Sequence, residues 1–328
     1  MFCLTTDTHL GRGNEKDIYT ETTINLFNNI IQTCLNNNIK TILHLGDFFD
    51  KKIFGNKNIT IKTITATQTI FKNITDNNLD IYIICGNHDL IYKNTNTPNS
   101  LELFKSNNIH IIDEKPLEIN QYTLVPWNYP LTDINTDIVL GHFEINGMKM
   151  DNGTDITESN LSITDFNRFK QVYSGHIHTK QVYKNICYIG NPYQINHGDV
   201  NNERGYYILN DDINFIPFNE YPKFITIDVN TNLNDIDLKN NNVRILLNNE
   251  NEKENERFIN EIKEIEPLNI NIKWEKKEEI AEVKRDDTII NKEDMLFDYI
   301  DKVDKPDNIK PDMLKKIVQS LLKEVKGE

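Results

Sequence analysis

No apolar run in this chain approaches the roughly 20 residues needed to span a bilayer, so a membrane-crossing helix is not expected. No charged-then-apolar leader opens it either. Met1-Phe2-Cys3-Leu4-Thr5-Thr6-Asp7 reads instead as a strand entering a polar loop, which places the protein in a cytoplasm. Cysteine is scarce. Cys3, Cys34, Cys85 and Cys187 stand far apart and form no C-x-x-C pair, which excludes a disulfide scaffold and a cysteine-built zinc site. Three of the four lie in apolar runs and read as buried thiols. Basic clusters are absent too, and the net charge is −14 over 328 residues. Neutralising phosphates with Lys and Arg supplies most of the affinity of ordinary nucleic-acid binders, so this surface is poorly suited to gripping a polyanion unaided.

What is present is a folded chain of about two domains, 38% hydrophobic and 9% aromatic. Short β-branched runs predict strands at Phe2-Thr6, Thr41-Leu45, Asp80-Cys85, Ile109-Ile112, Tyr122-Val125, Ile138-Leu140, Gln171-Ser174 and Ile186-Ile189. Helical spacing of apolar residues predicts helices over Thr22-Asn36 and Ile59-Asn73. The alternation is that of an α/β sandwich with a mixed sheet over residues 1–220. A boundary falls at Glu220-Tyr221-Pro222. A small α+β unit follows over 221–275, with strands at Phe224-Val229, Val243-Leu247 and Asn269-Trp274 and a helix at Glu252-Ile265. Residues 276–291 read as a charged linker. Residues 292–328 read as two helices, Lys292-Val303 and Pro311-Lys326, broken at Asp304-Lys305-Pro306-Asp307.

The chemistry lies where strands end. Asp7 and His9 follow the first strand, Asp47 the second, Asn87-His88-Asp89 the third, and His142 and His176-Ile177-His178 two later ones. Loops at the carboxyl ends of strands in an open α/β sheet converge on one crevice, so five such loops would meet. Glycine precedes Asp47, Asn87, His142 and His176, where a sharp turn or close approach would aim each side chain inward. Seven N and O ligands, Asp7, His9, Asp47, Asn87, His142, His176 and His178, are too many for one tetrahedral ion. They suit two divalent metals sharing a carboxylate, and the mixed donor set favours Mn²⁺, Fe²⁺ or Zn²⁺. Each motif alone is weak; the ordered set is specific.

The other histidines read as structural. His44 lies three residues before Asp47, so strand alternation turns it to the core, and His110 begins a strand. His197, in the loop Asn196-His197-Gly198-Asp199, remains a candidate substrate contact.

These motifs resemble the calcineurin-like metallophosphoesterase superfamily, and within it the SbcD-type DNA nuclease subunits of double-strand-break processing, especially their bacteriophage recombination-endonuclease counterparts. The resemblance extends to Asn87-His88-Asp89-Leu90 running into Tyr92-Lys93-Asn94, to Pro126-Trp127, to Gly141-His142-Phe143-Glu144-Ile145-Asn146-Gly147, and to Ser174-Gly175-His176-Ile177-His178-Thr179. It continues through Tyr188-Ile189-Gly190-Asn191-Pro192-Tyr193 and Arg204-Gly205-Tyr206. It covers the first 220 residues well and the remainder as domain order.

The resemblance implies a four-layer sandwich with mixed sheets, a small capping domain and a terminal helical hairpin. It implies that Asp7, His9 and His178 hold one metal, that Asn87, His142 and His176 hold the other, that Asp47 bridges, and that both ions are Mn²⁺. His88 stays outside the cage, stabilising the scissile phosphate and protonating the leaving oxygen. Asp89 either orients His88 or acts as a solvated cap. Asp50 stands where many members carry a histidine linked to exonuclease activity, which puts that mode, or its dependence on a histidine there, in question. Asn191 stands where Ser or Thr is commoner, with no consequence expected.

The tail helices carry apolar stripes, Met295, Leu296, Tyr299 and Ile300 on one and Met313, Leu314, Ile317 and Leu321 on the other. They pack on their own protein or on a partner. The resemblance favours docking on an SbcC-like ABC-type coiled-coil ATPase, which would supply the basic DNA surface this chain lacks; it also implies a homodimer. The expected function is therefore two-metal cleavage of DNA ends or single strands in phage recombination, repair and replication. The rivals are a protein phosphatase or small-molecule phosphodiesterase and a non-catalytic recombination scaffold. Lys51-Lys52 and Asp89, where protein phosphatases carry Arg-Gly and Glu, disfavour the first; the complete ligand set disfavours the last.

Overall fold

The computed structural model describes residues 1–50, 59–92, 94–200, 202–247, 252–274, 300, 314–316 and 318. Residues 1–275 form one compact unit and 276–328 a second.

Two six-stranded mixed sheets dominate the first unit. One runs in the order Ile213–Pro217, Gly205–Leu209, Phe2–Thr5, Thr41–His44, Asp80–Ile84 and Ile109–Ile112, its last four strands parallel. The other runs Gln181–Tyr183, Ile186–Tyr188, Gln171–Gly175, Ile138–His142, Tyr122–Val125 and Leu117–Ile119, with the middle four parallel.

Alternation along each strand sorts side chains between layers. Phe2, Leu4, Leu43 and Leu45 point to the interface between sheets, meeting Leu124, Leu140, Tyr173 and Cys187. Cys3 and Ile42 point the other way, onto Leu26, Phe27 and Ile30 of α1 (Asp17–Asn36) and Ile70, Phe71 and Ile74 of α2 (Ile61–Asp76). The far face of the second sheet is covered by Phe143, Phe166 and Phe169, from loops and a short 3-10 turn. The sandwich thus has four layers, but among the described residues the fourth contains no α-helix. All four cysteines are buried free thiols.

Strands absent from the sequence reading lie mainly at edges. Gly205–Leu209 and Ile213–Pro217 extend the first sheet as an antiparallel hairpin, and Leu90–Tyr92 pairs with Thr95–Asn99. Helix α1 also starts five residues earlier than its apolar stripe predicts, because Asp17 occupies the first turn where the helix dipole favours an anion.

Residues 224–274 form a sheet of three parallel strands, Phe224–Asp228, Asn242–Leu247 and Asn269–Trp274, with α3 (Glu252–Glu264) between the last two. Phe258 and Ile262 of α3 seal Ile227, Val243, Ile245 and Leu247 into a core of their own. The element order is the one expected from sequence, and the strands pair in parallel, the last two joined by a strand–helix–strand crossover. Tyr19 of α1 donates from its hydroxyl to Asn242 at 2.7 Å, and the Phe224 amide donates to Gln194 at 2.7 Å, tying this unit to the sandwich.

Of the expected terminal helices, Ile300 is helical and buried, and Leu314, Lys315 and Lys316 are helical. Met295, Leu296, Tyr299, Met313, Ile317, Leu321 and the linker 276–291 lie outside the described residues.

Candidate metal centre

The five motif loops meet at the carboxyl ends of strands from both sheets. The first two run side by side: the Asp7 amide donates to Gly46, His9 to Asp47, Leu10 to Phe48, and Asp50 back to Leu10. This backbone ladder fixes Asp7 and His9 against Asp47 before any side chain is considered.

Glycine serves both purposes expected of it, a turn at Gly46 and close approach at Gly46 and Gly86. Gly46 takes φ +98°, and a Cβ there would lie 2.5 Å from the His142 ring. Gly86 has an ordinary φ but leaves no room: a Cβ would sit 2.2 Å from Asp47 Oδ1 and 2.4 Å from its amide nitrogen. Left-handed backbone falls also on the site residues themselves, Asp7 (φ 48°), His9 (42°), Asp47 (54°) and His176 (89°). Each such residue costs about 1–2 kcal/mol, held in place by the surrounding ladder.

Asp7, His9, Asp47 and His142 form a buried floor, while Asn87, His88, His176 and His178 form a half-buried rim. At one end His9 Nε2 lies 3.1 Å from His178 Nε2 and 3.9 Å from Asp7 Oδ1. At the other, His142 Nε2 lies 3.3 Å from Asp47 Oδ2 and 3.2 Å from Asn87 Oδ1, and His176 Nδ1 lies 3.1 Å from the same amide oxygen. Asp47 joins both ends, since its Oδ2 also lies 3.9 Å from His9 Nε2.

Outer contacts orient these donors, as around metal ligands generally. His142 Nδ1 sits 2.7 Å from the Leu45 carbonyl, which can only accept, so Nδ1 carries a proton and Nε2 faces the cluster. Asp7 accepts from the Thr6 hydroxyl at 2.7 Å and the His176 amide at 3.2 Å. His176 Nε2 lies 3.5 Å from Glu144, and His178 Nδ1 lies 3.5 Å from Asp151.

From the protein's own charges alone, burial pushes the Asp7 carboxyl up and the His9 imidazole well down. Burial opposes charge at His142 and Asp47 as well, but their mutual attraction prevails. His142 rises to about 9, and Asp47 stays well below the usual carboxylate range. Two carboxylates, four imidazoles and an amide oxygen thus converge with no lysine or arginine among them. His9 Nδ1 is buried and has no hydrogen-bond partner. Three overlapping groups each bring ligand atoms within 4.8 Å of one another: Asp7–His9–His178 and Asp47–His142–His176 from this set, and His9–Asp47–His88, which adds the neighbouring imidazole. The donor set fits two divalent cations of the Mn²⁺, Fe²⁺ or Zn²⁺ class.

The structure also places the remaining candidates. His88 donates from Nδ1 to the Asp50 carbonyl at 3.0 Å and packs edge-on against His9 at 4.8 Å. Asp89 neither orients the His88 imidazole nor faces solvent. It is fully buried and accepts from the amides of Phe48, Phe49 and Gly86, stitching the second and third loops together. The Asp50 carboxylate lies 3.9 Å from His9 Nδ1. His197 packs edge-on against Phe224 at 4.9 Å, where burial pushes it down to about 4. His44 is core, hydrogen-bonded to Thr8 at 3.0 Å, and His110 stacks on Tyr82 at 4.3 Å.

Two arginines escaped the sequence reading as functional residues. Arg204, fully buried, donates to the His178 carbonyl at 2.5 Å, to Asn191 Oδ1, and to the Asp199 carbonyl and carboxylate at 3.1 and 3.2 Å. Asn191 therefore has a consequence: its amide accepts from Arg204 and donates to Asp199 at 3.3 Å. Arg12 is buried between the rings of Tyr19 and Tyr193, 4.4 and 4.7 Å away, and donates to the Gln194 carbonyl. The available signal was slight: each arginine adjoins a glycine, and Arg12 follows His9 closely.

Two stacked mixed sheets with a five-loop His/Asp/Asn cluster at their shared edge define a metal-dependent phosphoesterase. The calcineurin-like phosphoesterase pattern matches residues 1–180, and the chain belongs to that family, whose members bind divalent metals. More particularly, it is similar to exonuclease subunit 1 of Enterobacteria phage T4, 31% identical over 234 residues that cover 65% of this chain. The match spans 66% of the phage protein, just under two thirds of its length. No described helix is long and apolar enough to cross a membrane.

Proposed function

We propose that the protein is the nuclease subunit of a DNA-processing complex, hydrolysing phosphodiesters at DNA ends or in single strands. The observation that carries this reading is the joined cluster around Asp47, with His88 beside it and outside the two end groups. The similarity to a phage exonuclease subunit supports the choice of DNA.

Asp7, His9 and His178 would hold one cation, Asn87, His142 and His176 the other, and Asp47 both, with Mn²⁺ as the activating metal. Bound there, two divalent cations supply charge neutralisation for the phosphate and a water of lowered pKa. His88 supplies the proton. Its Nδ1–H is committed to the Asp50 carbonyl, leaving Nε2 to protonate the departing oxygen. Burial disfavours its charged form, but Asp47 and the Asp50 carbonyl outweigh burial and hold the imidazole above its ordinary pKa.

The acidic chain works in the cytoplasm, that of the host if it is phage-encoded, with an ABC-type ATPase bound through residues 292–328, and as a homodimer, in recombination, repair and recombination-dependent replication. Incubation of defined single- and double-stranded DNA with Mn²⁺, with and without that ATPase, tests the reading. Metal-dependent cleavage is expected, stimulated by the partner; absence of cleavage in both conditions overturns it.

A further inference from the structure

Trp127 stands where two cavities meet at the mouth of the metal cluster. One, of about 600 Å³, is lined by Asp50, Asn87, His88 and His176 together with Trp127. The other, of about 450 Å³, is lined by Trp127, Tyr129, Glu144, Ser159 and Asn160 and reaches His142. Trp127 is half-buried: its ring centroid lies 5.2 Å from that of His176 and 5.5 Å from that of His142, and its backbone carbonyl accepts from the Asn96 amide at 2.6 Å. No lysine or arginine among the described residues lines either cavity.

A phosphodiester placed against His88 occupies the first cavity. The second, immediately beyond the indole, has no lysine or arginine among the described residues to meet another phosphate, but it has aromatic walls, Trp127 and Tyr129 among them, and polar amides. Its volume is in the range of small-molecule sites. Aromatic faces with few charges suit a flat ring whose polar edge meets amides and carboxylates; a base stacked on such a face gains about 1–3 kcal/mol whatever its identity. We propose that the cavity behind Trp127 receives the unpaired nucleobase flanking the scissile phosphate, stacked on the indole. A base within duplex has neither face free, so this pocket selects frayed ends and single strands. The amides of Asn94 and Asn160, which line the same walls, can both donate and accept, so the pocket accepts all four bases.

The inference rests on DNA being the substrate, and the experiment separates the two claims. The chain has two tryptophans, and Trp274 is exposed on the edge strand Asn269–Trp274. Trp274→Phe therefore makes Trp127 the sole indole reporter in the full-length protein. Single-stranded oligonucleotides, each with one abasic site walked along the strand, are titrated with Ca²⁺ replacing Mn²⁺, and their cleavage by the wild type is followed with Mn²⁺. Quenching of Trp127 is expected, lost when the abasic site reaches one register, with KM for cleavage rising about 5- to 150-fold at that same register. Trp127→Leu should raise KM for the intact strand similarly, and Trp127→Phe should recover most of it. DNA cleaved with a flat abasic profile, or Leu and Phe behaving alike, overturns the base pocket and leaves the nuclease reading standing. No DNA cleaved while bis(4-nitrophenyl) phosphate is hydrolysed overturns both.

Discussion

The amide of His88 donates to Asp47 Oδ1 at 2.9 Å, so the proposed bridging carboxylate and the proposed catalytic histidine are tied through the backbone. Asp47 Oδ2 remains turned to His142 and His9. One carboxylate oxygen positions the third loop and the other serves the cluster. The imidazole of His88 hangs from this arrangement without forming it, and the two groups are separable by mutation.

His88→Ala should therefore retain two metals per chain while DNA hydrolysis falls about 10²- to 10⁴-fold, the range for removal of a general acid. Metal content by elemental analysis, paired with turnover, checks this. Loss of a metal in the variant would place His88 inside the cage.

Gly86→Ala should damage the centre although the backbone angle there suits any residue. The new methyl group meets the Asp47 backbone and carboxylate at 2.4 and 2.2 Å, and neither is the tip of a flexible chain. Overpacking of this kind costs about 1–3 kcal/mol. A lowered denaturant midpoint together with reduced metal content is expected; unchanged metal content would show that the third loop can yield.

Arg204→Met leaves Asp199 as a buried charge without its partner, and breaking such a pair costs about 3–5 kcal/mol. The same change releases the His178 carbonyl, so the affinity of the Asp7–His9–His178 end for Mn²⁺ should weaken more than that of the other end. Denaturant unfolding and stepwise metal titration measure the two effects separately. Equal weakening at both ends would indicate general loosening instead.

His44 gives a pH signature of folding. Complete burial between Phe27 and Phe48 holds its imidazole down at about 3, against about 6.5 unfolded. A depressed histidine means that the unfolded chain binds the proton more readily. Its contribution is thus complete above pH 6.5 and shrinks as the pH falls toward 3. Between pH 7.5 and 5 the loss is about 2 kcal/mol. His44→Gln removes this term, so its destabilisation relative to wild type should be smaller at pH 5 than at pH 7.5. A pH-independent difference would show that His44 is not held neutral.

Much of this site is legible in sequence because each element rests on a local rule. Central strands announce themselves as β-branched runs, and Asp7, Asp47, Asn87, His142 and His176 each follow one within a few residues. His44 was separable from Asp47 by alternation alone. What stayed hidden depends on contacts across long sequence separations. The hold of Arg204 on His178 through Asn191 and Asp199 joins segments that no periodicity connects, and the amides gathered by Asp89 belong to two different loops. The glycine argument offered a sharp turn or a close approach, and both occur: Gly46 takes the turn, Gly86 answers the need for space, and a further unusual φ belongs to Asp47. The direction of the strands in 224–274 was likewise invisible, since parallel and antiparallel pairings of short strands share one pattern of residues.

The central claim is that Asp47 unites two metals for cleavage of DNA. Its most direct test compares wild type with Asp47→Asn in Mn²⁺-dependent cleavage of a single-stranded DNA, with bound metal counted in the same samples. The expected result is two Mn²⁺ per wild-type chain and rapid cleavage, with fewer than two metals and no measurable cleavage in the variant. Full cleavage by Asp47→Asn, or a wild type that cleaves equally well in chelator, would contradict it.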